Sequence, residues 1–388
     1  MTPVISSKLP NVGTTIFTEM SALARQHNAV NLSQGFPDFE CSDKLKEALT
    51  DAVFKGLNQY GPMQGILPLR ETISHKTSKL YGKSYDPDTE ITVVPGATIA
   101  LFTAIMCVVN RGDEVIIIEP AYDCYVPAVE LCGGICKFSS LVYPTFEINW
   151  EEVKSLISSK TKLIIINSPQ NPGTSVIKES DLAALNELTK DTNILVISDE
   201  VYEHILFDGV KHQSLASHEE LSMRSFIISS LGKTYHVTGW KTGYVMAPAS
   251  LTKEFRKVYQ YNAFCTFTPA QWAFNTLMQD ASTYLSVSDF YQQKRDRMQS
   301  LLQDSLFKVL HSAGSYFQLL DYSAISIESD YEFARRLTIE HKIATIPLSS
   351  FYHNKKDNKL LRICFAKEDE TLLKAAEILN SIQKQNHT

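Results

Sequence analysis

Ser230, Lys233 and Lys241 place a hydroxyl, an amine and a second cation within one short stretch of chain. An amine condenses with an aldehyde to an imine, and a hydroxyl together with a cation can hold a phosphate dianion. The set therefore suits a phosphorylated aldehyde. The stretch lies between the apolar runs 225–228 and 244–247 and reads as strand, loop, strand. Two loop lysines are equally consistent with a solvated surface, where lysine is mostly found.

Further candidates follow other apolar runs. Asp199 stands just after residues 194–198. A carboxylate there can pair with a protonated ring nitrogen and keep a pyridinium ring an electron sink, while Tyr202 can hydrogen-bond a ring hydroxylate. The competing role for Asp199 is a helix N-cap. Asn171 lies in Asn167-Ser168-Pro169-Gln170-Asn171-Pro172-Gly173-Thr174, where two prolines fix an extended backbone open to cis bonds. Its amide can reach a ring oxygen or a substrate carboxylate, or serve only the turn. Gly96, Ala97 and Thr98 open a helix whose free N–H groups can bind phosphate. Tyr122 can stack on a planar ring or fill core. Arg362, alone in an apolar strand, is costly unless paired. Its planar fork suits a substrate carboxylate, with an internal Asp or Glu as the rival partner. Pyridoxal 5′-phosphate is a ligand that uses all of these groups. Neither G-x-G-x-x-G nor G-x-x-x-x-G-K-[ST] occurs, so the dinucleotide and P-loop readings lose their support.

The elements that must position these residues follow from periodicity. Helical spacing predicts helices over 16–26, 43–55 and 68–81. From residue 91 short apolar runs (91–94, 114–118, 135–138, 162–167, 194–198, 226–229, 244–247) alternate with helices. Strands apolar on both faces and separated by helices predict an α/β fold with a mostly parallel sheet flanked by helices. Polar and glycine residues follow nearly every run, at the edge where such a sheet binds its ligand. A long helix over 284–306 marks entry to a smaller α+β C-terminal domain, with strands at 315–319 and 360–365 and helices at 330–341 and 369–382.

The chain of 388 residues is 44% hydrophobic and 21% charged, with a net charge of −6. It has the composition of a globular protein with two or three domains, and no basic stripe for nucleic acid or an anionic membrane. No run reaches membrane-spanning length. Residues 1–11 lack the apolar core of a secretory signal. Seven cysteines form no zinc-like spacing and read as reduced thiols. A cytoplasmic location follows.

In this order the motifs resemble the fold-type I, class I/II pyridoxal-phosphate aminotransferases over nearly the whole chain. The segments 31–39, 198–204, 232–244 and 360–367 look most like bacterial methionine aminotransferases, within the branch that holds kynurenine and glutamine transaminases. The resemblance implies a large domain (46–284) with a seven-stranded type of sheet, a small domain (285–388), and an arm (1–45) that joins the small domain. It implies that Lys233 carries the cofactor as an internal aldimine and shuttles the proton. Asp199 pairs with the ring nitrogen, Tyr202 and Asn171 serve the ring oxygen, and Tyr122 stacks on the ring. Gly96, Ala97, Thr98, Ser230 and Lys241 hold the phosphate, and Tyr60 reaches the phosphate of the other subunit of a homodimer with shared sites. Asn171, Arg362 and the Gly35 backbone orient the substrate carboxylate. Phe36, Tyr60, Tyr125, Phe264 and Phe351 suggest an uncharged pocket.

The implied reaction is ping-pong transamination between an uncharged or aromatic L-amino acid and a 2-oxo acid. Methionine leads the candidate donors, before phenylalanine, tyrosine, glutamine and kynurenine. Lys241 stands where many members have arginine, and Asn171 is followed by Pro-Gly-Thr rather than Pro-Thr-Gly. No counterpart exists for the second arginine that aspartate-type enzymes place on a distal carboxylate. A cysteine-conjugate β-lyase is the nearest alternative. A pyridoxal-phosphate-sensing regulator is the alternative from another class, against which stands the missing basic face.

Overall fold

Runs rich in Ile and Val, stiff at χ1, favour extended chain. In the computed structural model, which describes residues 5–384, seven strands form one sheet. The first four residues of the expected arm lie outside the described residues. In chain order the strands are β1 (Ile91–Val94), β2 (Glu114–Glu119), β3 (Ile135–Ser140), β4 (Thr161–Asn167), β5 (Leu195–Asp199), β6 (Ser225–Ser230) and β7 (Gly243–Met246). Their spatial order is β1-β7-β6-β5-β4-β2-β3. β3, β2, β4, β5 and β6 pair parallel, and β7 runs antiparallel to both its neighbours.

Successive strand residues point to opposite faces, and here both faces are buried. Val115, Ile117, Leu163, Ile165 and Ile197 belong to one core, and Ile116, Ile118, Ile164, Ile166 and Val196 to the other. Helices Ala97–Val108 and Ala249–Asn262 supply the first core. Helices Leu67–Tyr81, Glu179–Thr189 and Thr268–Met278 supply the second. Double coverage explains why the runs show no polar alternation.

The reversal of β7 matters for the site. Its first residue, Gly243, pairs with Val94 at the end of β1 and with Ser230 at the end of β6. Lys241 and Thr242 are thereby delivered to the edge where the parallel strands end. A Cβ on Gly243 would stand 2.5 Å from the Ser229 carbonyl oxygen, so this pairing admits only glycine.

A second, antiparallel sheet contains β8 (Lys308–Val309), β9 (Phe317–Asp321), β10 (Ile346–Pro347) and β11 (Leu360–Cys364), in the order β10-β11-β9-β8. The N-terminal segment joins this region. Val30–Asn31 pairs parallel with Ile343–Ala344, and the Cys364 N–H donates to the Leu32 carbonyl.

Two expectations need correction. The loop after β6 contains a helical turn, Leu231–Thr234, capped by the Ser230 hydroxyl, which accepts from the Lys233 N–H at 3.3 Å. The helix expected over 284–306 is a turn, Ser282–Leu285, followed by Val287–Leu301. Asp304 and Ser305 favour turns, and the Ser305 hydroxyl donates to the Leu302 carbonyl at 2.8 Å. Among the described residues no helix is long and apolar enough to cross a membrane, and no group of His, Cys, Asp and Glu could hold a metal ion.

Candidate active site

The ends of β1, β4, β5 and β6 and the start of β7 converge on a cavity of about 300 Å³. Gly35, Gly96, Ala97, Thr98, Tyr122, Asn171, Asp199, Tyr202, Ser230, Lys233, Lys241 and Arg362 all line it.

Lys233 projects from the turn after β6. Its Nζ donates to the Tyr316 hydroxyl at 2.8 Å and to the Gly35 carbonyl at 3.2 Å, and the Tyr316 hydroxyl donates to the same carbonyl at 2.5 Å. Burial lowers the Lys233 pKa to about 8, and the nearby Lys241 and Arg362 charges lower it further against the pull of Cys364 and Asp199. The amine is therefore much easier to deprotonate than an exposed lysine.

Asp199 ends β5. Burial raises its pKa to about 6, and hydrogen bonds from the Tyr125 hydroxyl and the Val201 N–H, with the Lys233 charge, limit the rise. The Tyr125 bond is 2.6 Å and the Val201 bond 3.3 Å. The N–H accepted is two residues on, so the carboxylate caps the turn that follows while it also faces the cavity. Asn167 ties the neighbouring strand end to this one, its Nδ2 donating to the Asp199 carbonyl at 2.8 Å and its Oδ1 accepting from the Asn171 N–H at 2.8 Å. Both X-Pro bonds around Asn171 are cis. Tyr202 meets Tyr316 edge-on, with ring centroids 5.0 Å apart.

Arg362 reaches the cavity from β11 of the other sheet. Its Nη1 donates to Asn171 Oδ1 at 2.7 Å and its Nη2 to the Ser33 carbonyl at 3.0 Å. The guanidinium lies 3.9 Å from the ring centre of Phe317, with Phe351 and Phe17 at 5.1 and 5.2 Å. Its Nε is buried without a partner among the described residues. Burial lowers its pKa only to about 10, so it remains a cation. The hydrogen bonds of its fork go to a neutral amide and a carbonyl, and it keeps a free donor for a carboxylate.

At the other end of the cavity Gly96 takes φ +86°, a conformation other residues rarely adopt. A Cβ there would stand 3.3 Å from Lys241 Nζ. The missing side chain leaves a cradle between this cation and the start of the 12-residue helix Ala97–Val108, whose first N–H groups have no intrahelical partner. Amine, buried carboxylate, cation and free helix N–H groups together match pyridoxal 5′-phosphate: aldehyde, ring nitrogen and phosphate.

Five candidates stand outside the cavity's lining, among them Phe264, which packs on Tyr60, and Phe351, which packs behind the Arg362 guanidinium. Tyr125 is buried in the core and holds Asp199 from below instead of lining the cavity. Phe36 lies outside it, its carbonyl accepting from Lys367 Nζ at 2.9 Å and its ring beside that ammonium. Tyr60 is 83% exposed and touches Phe264 edge-on, away from the cavity in the single chain. Conversely, Tyr316, Phe17, Gln34, Asp123 and Phe317 were missed. Their sequence neighbourhoods read as strand, helix or loop, with no local signal that they line or border a cavity.

An amine-bearing turn beside a buried carboxylate, at the ligand edge of a sheet wound this way, defines a pyridoxal-phosphate-dependent transferase. The sequence model described as aminotransferase class I and II matches residues 27–379, and the chain belongs to this family of pyridoxal-phosphate enzymes. It is 50% identical over 377 residues to the methionine aminotransferase of Escherichia coli K12, covering 97% of this chain and 98% of the relative. It is 35% identical to kynurenine–oxoglutarate transaminase 3 of Rattus norvegicus, covering 97% and 90%. The crystal structure of YbdL from Escherichia coli, for which a methionine aminotransferase function was identified, superposes with a TM-score of 0.95 at 50% identity, covering 97% of this chain and 100% of that one. These relatives lend no support to a β-lyase or a sensory regulator.

Proposed function

We propose that this aminotransferase takes the amino group from an uncharged or aromatic L-amino acid, methionine first, and passes it to a 2-oxo acid in a ping-pong cycle. Phenylalanine, tyrosine, glutamine and kynurenine are the further donors. The observation that carries the reading is the buried Lys233 amine and the Arg362 guanidinium in one cavity walled by Phe17 and Phe317. The 50% identity to a methionine aminotransferase supports the choice of donor.

When bound, pyridoxal 5′-phosphate supplies a conjugated ring that draws electrons from the substrate's α-carbon. Gly96, Ala97, Thr98, Ser230 and Lys241 hold its phosphate, Asp199 its ring nitrogen, Tyr202 and Asn171 its ring oxygen, and Tyr122 its face. Arg362, Asn171 and the Gly35 backbone orient the substrate's α-carboxylate. Lys233 removes the α-proton as a neutral amine, a state its burial favours. Tyr316 and the Gly35 carbonyl, which hold its Nζ, aim it.

We also infer a homodimer with shared sites, in which Tyr60 reaches the phosphate of the other copy. The exposure of its ring supports this. The parts 1–45, 46–284 and 285–388 serve as arm, cofactor domain and small domain, a division supported by the seven-stranded sheet, the separate four-stranded one and the short pairing of Val30–Asn31 with Ile343–Ala344. A cytoplasmic location is supported by seven unbridged cysteines.

A half-reaction screen of single amino acids against the cofactor's visible absorbance tests the reading. Methionine is expected among the fastest donors. Aspartate outpacing methionine by a wide margin would overturn it.

A further inference from the structure

Among the described residues five side chains of formal charge line the cavity: Lys233, Lys241, Arg362, Asp199 and Asp123. Four of them have a role in the reaction already described. Asp123 has none. It follows Tyr122 on the loop after β2 and stands open to the cavity. The protein around it raises its pKa, and the Arg362 guanidinium opposes that rise. The Asp123 carboxylate in turn acts on Arg362. The two groups face one space.

An amino acid held on Arg362 by its α-carboxylate extends its side chain into this space, which Phe17, Gln34 and Phe317 also border. A thioether or an aromatic ring meets apolar surface there. A second carboxylate meets a like charge. Among the described residues the cavity offers it no free cation, because Lys233 serves the reaction, Lys241 the phosphate and Arg362 the α-carboxylate. Like charges that share one partly solvated cavity repel enough to cost roughly tenfold in rate or affinity.

We propose that Asp123 is a specificity-determining residue: its carboxylate disfavours amino acids that carry a second carboxylate. The inference rests on the substrate reading above and deepens it. The absence of a distal arginine withholds attraction from dicarboxylates, and Asp123 adds repulsion, so discrimination has both an attractive and a repulsive component.

Half-reaction rates of the full-length holoenzyme with methionine, glutamate and aspartate, for the unaltered protein, Asp123→Asn and Asp123→Ser, test it. The ratio of kcat/KM for glutamate over methionine should rise about tenfold in both variants. In the unaltered protein that ratio should also rise with ionic strength, as screening weakens the repulsion, and the variants should lose this dependence. A ratio within about twofold of the unaltered protein's in both variants, or an unchanged salt dependence, overturns the proposal; the factor is set against the expected Coulomb effect. If one variant fails to fold, the other and the salt series still decide. Failure of the methionine reading shows separately, as an unaltered protein that turns over no uncharged donor. The glutamate rate across the three proteins then still reads the effect of Asp123.

Discussion

As the proposed reactive amine Lys233 acts only in its free form, and its surroundings set the pH at which that form prevails. With a pKa brought to about 8 by burial, the amine is protonated below that pH and neutral above it. In protein stripped of cofactor, capture of the cofactor's aldehyde should therefore rise about tenfold per pH unit up to about 8 and level off beyond; absorbance stopped-flow between pH 6 and 9.5 reads this. Lys233→Ala should lose at least about a thousandfold in turnover, and normal turnover in that variant would refute the assignment. Below the ring site, Tyr125→Phe removes a 2.6 Å hydrogen bond to Asp199. A bond to a charged group contributes about 1.5–3 kcal/mol, so cofactor affinity should fall roughly 10- to 100-fold, as equilibrium titration would show. Lys233, Asp199 and Arg362 were legible because a charged residue beside an apolar run is chemically conspicuous. Tyr125 was legible only as an aromatic, since a tyrosine ring looks the same in a pocket as beneath one.

The segment Asp199–Glu203 shows how an element aims its residues. Asp199 and Tyr202 face the cavity, while Glu200 and Glu203 anchor the turn from behind. Glu200 accepts from the Ser198 hydroxyl at 2.7 Å and the Leu215 N–H at 3.1 Å and pairs with His212 at 2.8 Å. Glu203 pairs with Lys76 at 2.7 Å and accepts from the hydroxyls of Tyr81 at 2.7 Å, Tyr244 at 2.9 Å and Ser229. The carboxylate thus binds the turn after β5 to β6, β7 and helix Leu67–Tyr81. Burial alone would raise its pKa, but Lys76, His204 and these hydrogen bonds hold it well below the carboxylate range. A depressed carboxylate adds stability above its unfolded value, near 4, and that stability is lost as pH falls through the folded value. Lys76→Met leaves the charge buried and unpaired and should destabilise the protein by about 3–5 kcal/mol. Adding Glu203→Gln should recover part of the loss, with urea unfolding as the measure. Helical periodicity placed Lys76 on a helix yet gave no sign of its partner, because a lysine on an amphipathic helix reads as solvated.

At the scale of the whole molecule, the site closes only where the two sheets meet. Arg362 comes from β11, Asn171 from the loop after β4, and Ser33 from the N-terminal segment. Arg362→Lys keeps the charge but loses the planar fork. The KM for amino acids should rise roughly 10- to 100-fold, in keeping with a lost charge-assisted pair, while cofactor titration changes much less. The cofactor half of the site was written in the sequence as local signals: an apolar run, then a glycine, amide, carboxylate or amine at its end. Parallel strands deliver such residues to one edge, so order along the chain was enough to collect them. The direction of β7, the Tyr316 contact to Lys233, the removal of Tyr125 and Phe36 from the cavity wall, and the unassigned charge of Asp123 had no local signature. Each depends on which distant segments pack together. Strands as short as Val30–Asn31 and Ile343–Ala344 carry no period to read, and their pairing is decided by the burial and backbone hydrogen bonds that the assembled molecule alone provides.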